Sequence, residues 1–177
     1  MANYLRVWRS GGTYFFTVCL LRRHGNDLLI RHIDALRKAI VQTRQNHAFE
    51  INAWVVLPEH QHCVITLPAG DDDFALRWRL IKRRFPEAIP NTEYRNEVRI
   101  RRGERGVWQR RYWEHLIRNE QDYQAHVDYV HFNPVKHQLV RRVSEWPYST
   151  FHRWLEAGVY PSNWGAGGVS SSLEYDD

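Results

Sequence analysis

Four side chains have the types and spacings from which chemistry could be built. His60 and His62 stand two residues apart in the run His60-Gln61-His62-Cys63-Val64-Ile65-Thr66-Leu67. On a strand both imidazoles project from one face, because successive side chains alternate. Two imidazoles converging from one pleat make half of a divalent-cation site, while Gln61 and Cys63 point to the opposite face and are not ligands. Tyr129 and Asn133 lie four residues apart in a helical pattern, so they share a face one turn apart. A phenol is a nucleophile once its target is polarised, and an amide oxygen is an acceptable ligand for a hard cation. The plain alternatives are a pair of hydrogen-bonded surface histidines and a core-edge tyrosine. Residue types and spacing leave both open.

The elements that must hold these groups follow from periodicity. Thr13 to Leu20, β-branched and aromatic after a Gly-Gly break, predicts a strand, and Ile33 to about Gln45 predicts a helix. Phe49–Leu57 and His60–Leu67 predict two strands joined tightly at Pro58-Glu59. A helix should run from Phe74 to about Arg84, with Asp71 to Asp73 at its amino end, and Pro86–Arg105 should be a loop. Val107–Ile117 predicts a strand with aromatic rungs. Asn119 should cap a helix that ends at Asn133, because Pro134 cannot continue it. On that helix Tyr123, Val127 and Val130 form an apolar stripe for the core. His126, Tyr129 and Asn133 form a second stripe beside it. A short helix near Ser149–Ala157 and a Gly/Ser-rich tail follow. The order β-α-β-β-α-β-α predicts a ferredoxin-like α/β (α+β) sandwich, an antiparallel sheet with helices on one face. Residues 1–164 would form the domain and 165–177 a flexible tail.

A 43% apolar, 14% aromatic composition in 177 residues predicts one folded domain and excludes a disordered chain. The net charge of +5 is concentrated. Between Arg77 and Arg111 there are 12 Lys/Arg against 4 Glu, which leaves the rest mildly acidic. Such a block suits a polyanion, since basic side chains displace the counterions of a phosphate backbone; a solvated surface is the alternative. Cys19 and Cys63 sit in apolar runs and read as buried hydrophobes of a reducing compartment. No apolar run approaches the ~18 residues of a membrane span, and the amino terminus lacks a signal-peptide core, so a cytoplasmic protein is expected.

Six blocks, TYFFTV, NAWVVLPEHQH, RWRLIKRRF, VWQRRYWEHLIRNEQDY, YVHFNPVKHQLV and EWPYSTFHRW, carry a resemblance. In order and in spacing they closely resemble the REP-associated tyrosine transposases, relatives of the single-tyrosine HUH transposases, from about residue 4 to residue 164. The resemblance implies the HUH single-tyrosine transposase fold. It implies that His60 and His62 bind Mg²⁺ or Mn²⁺ with Asn133 as third ligand, and that Tyr129 is the nucleophile. The implied reaction cuts and rejoins single-stranded DNA at REP-type palindromic hairpins through a 5′-phosphotyrosine, with His126 or His131 assisting proton transfer. Arg77, Arg79, Lys82, Arg83 and Arg84, with Arg101 and Arg102 and some of Arg99 and Arg105, would hold the hairpin backbone. Tyr4 and Trp8 would stack on single-stranded bases. Gln61 departs from the family, whose middle position is apolar. Because it faces away from the metal, a packing adjustment is expected, with a weakened enzyme as the alternative. The protein would act as a monomer or homodimer. Relaxase-type nickases usually carry further domains. The remaining rival, a non-catalytic DNA- or RNA-hairpin-binding protein, gives His60, His62, Tyr129 and Asn133 no reason to converge.

Overall fold

The computed structural model describes residues 7–165, so Tyr4 and residues 166–177 lie outside the described residues. A strand covered on both faces loses its polar alternation. This is the condition of β1 (Thr13–Cys19), where the successive residues Tyr14, Phe15 and Phe16 are all fully buried. After it come α1 (Leu28–Arg31), α2 (Ile33–Asn46), β2 (Glu50–Val56) and β3 (His60–Thr66). Then follow α3 (Phe74–Glu87), α4 (Glu97–Arg101), β4 (Trp113–Leu116), α5 (Glu120–Lys136) and α6 (Phe151–Glu156). The sheet order is β2-β3-β1-β4 with every neighbouring pair antiparallel, the ferredoxin-like connectivity expected.

The placement of helices on one face is corrected. Tyr14, Phe16, Trp54, Cys63 and Ile65 pack with Leu36, Ile40, Phe74 and Trp78 of α2 and α3. Phe15, Ala53, Val55 and Val64 pack on the other face with Val127, Tyr129 and Val130 of α5. Burying both faces takes the third helix, and the uninterrupted aromatic run of β1 is its signature in sequence.

Two prolines lie inside helices, Pro86 in α3 and Pro134 in α5, where the sequence predicted ends. Proline inside a helix loses one backbone bond and clashes with the preceding turn, at about 3 kcal/mol. Around Pro134 packing outweighs that cost. Val127, Tyr129 and Val130 are wedged against the sheet, while Phe132 and Val135 pack against Val143, Phe151 and Tyr160. The helix therefore continues to Lys136. At its start Asn119 caps as expected, its side chain accepting from the Asp122 N–H at 2.9 Å.

The predicted Pro86–Arg105 loop contains α4, and it is tied by Arg105. That guanidinium donates to the carbonyls of Pro86, Ile89 and Pro90 and grips both Glu93 oxygens at 2.6 and 2.7 Å. The strand expected over 107–117 is paired only from Trp113 to Leu116, plus a lone bridge from Trp108 to Leu20. Among the described residues no helix is long and apolar enough to cross a membrane.

Candidate active site

β3 presents His60 and His62 to the α5 face, while Gln61 turns to the other side and accepts from Trp54 Nε1 at 2.9 Å. Gln61 thus lies away from the histidines, as expected, fully buried in the face that packs on α2 and α3, with its amide nitrogen unpaired among the described residues. The two imidazoles are 1% and 0% exposed, which excludes the surface-histidine reading. Their ring centroids lie 4.9 Å apart at 84°. The neighbouring side chains orient both rings. His62 Nδ1 lies 2.9 Å from Thr17 Oγ1 on the adjacent strand, so Nε2 is the nitrogen able to ligate. His60 Nδ1 lies 2.9 Å from Glu59 Oε1, and Glu59 also pairs with Arg23 at 3.2 Å. Burial alone would raise the Glu59 carboxyl, but the hydrogen bonds it accepts from His60 and Arg23 outweigh it and hold the group well below its ordinary value. An ionised carboxylate can only accept, so His60 Nδ1 carries the proton and Nε2 the lone pair. That Nε2 is buried with no hydrogen-bond partner among the described residues.

α5 crosses this face with the predicted second stripe inward: His126 and Tyr129 are each 1% exposed and Asn133 is 0% exposed. The Tyr129 ring meets the His62 ring at 5.3 Å and 77°. Asn133, one turn on, is buried, and among the described residues neither its side-chain oxygen nor its nitrogen is hydrogen-bonded. A buried amide left without partners costs a few kcal/mol, about 1–3 per group in proteins, so it marks a site built for something else. Because the helix continues through Pro134, two residues absent from the sequence expectation join the group. Lys136 Nζ donates to the Tyr129 hydroxyl at 3.0 Å, and the His137 ring stands 5.0 Å from that of His60. The step 129→133→136 carries the stripe one turn further, a signal hidden by ending the helix at Asn133. All these side chains come from one chain.

The other histidines of α5 lie elsewhere. His131 is 200° around the helix from Tyr129. Its ring nitrogens face Thr150 Oγ1 at 2.9 Å and the Tyr160 hydroxyl at 3.3 Å, and burial, followed by the charges of Arg153 and His152, lowers its pKa to about 3. His131 is therefore a neutral packing residue on the far side, a correction to its assignment in proton transfer. His126 donates from Nδ1 to the Asp122 carbonyl at 2.7 Å and packs on Phe15. Burial lowers its pKa. His115, Asp122 and His126 have donor atoms all within 4.8 Å of one another, close enough to hold a metal ion. The His115 and His126 rings, however, stack at 4.6 Å and 14°. The two ring planes are thus nearly parallel. As it stands the trio is a hydrogen-bonded clamp that fastens β4 to the first turns of α5.

No family model matches the chain. A curated relative, the REP-associated tyrosine transposase of Escherichia coli K12, is 50% identical over 170 residues, covering 96% of this chain and 94% of that protein. The chain belongs to the REP-associated tyrosine transposases. A second relative, from Haemophilus influenzae Rd and named for the same transposases, is 44% identical over 167 residues, 93% of this chain and 94% of that one. A solved REP-associated tyrosine transposase bound to a REP hairpin matches with a TM-score of 0.80 and 46% identity over 100% of both chains.

The basic residues of this transposase divide by burial. Arg77, expected at the DNA backbone, is 2% exposed. Its guanidinium donates to the Ala48 and Asp73 carbonyls and to both Asp71 oxygens. It is a strut between α3 and the end of α2, and its assignment to DNA is corrected. Arg84 is half-buried and donates to Thr43 of α2 at 2.8 Å. Lys82 holds the Gln109 and Arg110 carbonyls at 2.6 and 3.1 Å. Arg79, Arg83, Arg101 and Arg102 are exposed. Arg79, Lys82, Arg83, Arg105 and Arg110 line a cleft of about 690 Å³ between α3 and the segment entering β4. Trp8 is 46% exposed and stacks on Phe74 at 4.5 Å.

Proposed function

We propose that this transposase nicks and rejoins single-stranded DNA beside REP-type hairpins, with Tyr129 as nucleophile and a divalent cation held by His60, His62 and Asn133. The observation that carries the reading is one constellation. An imidazole pair with oriented Nε2 atoms, an unsatisfied buried amide and a phenol all meet on one face, in a chain half identical to a named tyrosine transposase.

The donor set fits Mg²⁺ or Mn²⁺. Two neutral imidazoles and an amide oxygen suit a borderline or hard cation, and no thiolate lies among them. The carboxylate–histidine pair of Glu59 and His60 is the usual outer support of such a ligand. A bound cation would supply Lewis-acid polarisation of the scissile phosphate and orient its oxygens. Tyr129 attacks phosphorus: a phosphorus–oxygen bond forms to the phenol oxygen and the bond to the 3′ oxygen breaks. The phenolic proton is released to solvent, and the departing 3′ oxygen takes one up. Because the phosphodiester energy stays in the tyrosine ester, a second 3′-hydroxyl can reverse the step without ATP.

The duplex stem suits the basic cleft, and the single strand suits the α5 face. These lie on opposite faces of the sheet and meet at its edge strand β4, where Trp113 is 45% exposed and offers a base a flat surface. The solved relative bound to a REP hairpin supports a hairpin partner.

A non-catalytic hairpin binder has one observation in its favour: the Tyr129 ring is 1% exposed, in contact with the apolar face of the sheet. The two readings separate with a labelled hairpin oligonucleotide and Mn²⁺, by trapping covalent adduct on a denaturing gel. Wild type should form the adduct, and Tyr129→Phe should not, at unchanged hairpin affinity. Adduct that persists in Tyr129→Phe assigns the chemistry to another residue; no adduct from wild type supports the binder.

A further inference from the structure

Lys136 occupies the last turn of α5 on the face that carries Tyr129 and Asn133. Its ammonium reaches back along the helix to the Tyr129 hydroxyl at 3.0 Å, with Nζ 4.8 Å from the ring centroid. Tyr129 is almost wholly covered, whereas Lys136 is exposed, so the lysine is a solvent-side cover of the phenol oxygen. A basic residue in a last turn also complements the helix dipole, but that role needs only charge near the terminus and no donor aimed at a phenol.

Resting on the assignment of Tyr129 as nucleophile, we propose that Lys136 is a catalytic residue. Its N–H holds the phenol oxygen and stabilises the negative charge that appears on that oxygen as the phosphorus–oxygen bond forms and breaks. In cleavage the phenol loses its proton to solvent as its oxygen bonds to phosphorus, and the ammonium stabilises the charge before that bond is complete. In rejoining, the 3′-hydroxyl oxygen bonds to phosphorus and loses its proton to solvent. The tyrosine ester bond breaks, and the electron pair returns to the phenol oxygen against Lys136 until a proton neutralises it. Cleavage and rejoining share one transition state. Loss of the ammonium must therefore slow both directions together, which distinguishes this role from a contact to DNA. A hydrogen bond from a charged donor is worth a factor on the order of ten to a hundred in rate.

The test uses the full chain with Lys136→Met and Lys136→Arg. Four quantities are read: adduct formation rate at saturating hairpin oligonucleotide with Mn²⁺, adduct consumption by a 3′-hydroxyl oligonucleotide, hairpin Kd and melting midpoint. Lys136→Met should lower both rates by comparable factors of about 10–100 with Kd within about twofold, and Lys136→Arg should recover most of the loss. Unchanged rates at saturation overturn the proposal. So do rates that fall only in step with Kd, the mark of a DNA contact. An arginine variant as slow as the methionine one, with both melting lower, assigns Lys136 a structural role. These outcomes are separate from failure of the nucleophile assignment, which appears as adduct in Tyr129→Phe.

Discussion

Glu59→Gln isolates the support beneath the first histidine. The carboxylate receives His60 Nδ1 at 2.9 Å, and the two side chains are 19% and 1% exposed, so solvent screens the contact little. A charge-assisted hydrogen bond is worth about 1.5–3 kcal/mol, and a neutral amide retains roughly half of that, a net loss of about 0.8–1.5 kcal/mol. At its upper end that corresponds to about a tenfold change, the low end of the ten- to hundredfold penalties typical of such outer carboxylates. The loss falls on the orientation and basicity of Nε2. It should therefore appear as a higher Mn²⁺ requirement, with the saturated rate near wild type. The assay is adduct formation against Mn²⁺ concentration, with hairpin affinity measured in parallel. Arg23→Gln is the control, since it removes the second partner of Glu59 but leaves the His60 contact, and it should shift the midpoint less than about threefold. A Glu59→Gln midpoint equal to wild type, or an equal shift in Arg23→Gln, would refute the argument that this carboxylate sets the His60 donor.

Other outcomes follow from the burial of charge. Arg77→Met should cost about 3 kcal/mol in urea unfolding by stripping donors from Asp71, Ala48 and Asp73, while leaving the salt slope of hairpin binding intact. Arg79→Ala should do the reverse: a salt slope shallower by about one with little change in stability. Arg105, foremost through its hydrogen bonds, holds the Glu93 carboxyl below its ordinary 4.5 against a smaller opposing effect of burial. A depressed folded-state pKa contributes stability above the unfolded value that is lost as pH falls through the folded one. The stability advantage of wild type over Glu93→Gln, measured by urea unfolding, should therefore be full near about pH 6 and shrink below about pH 4.5. An advantage independent of pH in that range would contradict the pairing.

Much of the site is written in short-range pattern. A period of two puts His60 and His62 on one face and Gln61 on the other, and a period of 3.6 puts His126, Tyr129 and Asn133 in one row. Those geometries follow from backbone stereochemistry, which any strand or helix obeys wherever it packs. Asn119 as a cap is equally local, since its partner is the N–H of Asp122 three residues on. What tertiary structure alone decided involves groups distant in sequence. The helix passes Pro134 because two apolar clusters clasp it from both sides, overriding a local cost, and only that extension delivers Lys136 to the phenol. Arg77 is buried because the carbonyls of Asp73, the cap of α3, and of Ala48, just past α2, converge on it, although its charge and neighbours mark it for the surface. Periodicity tells which side chains share a face. What that face meets is fixed by contacts that exist only once the chain has closed on itself.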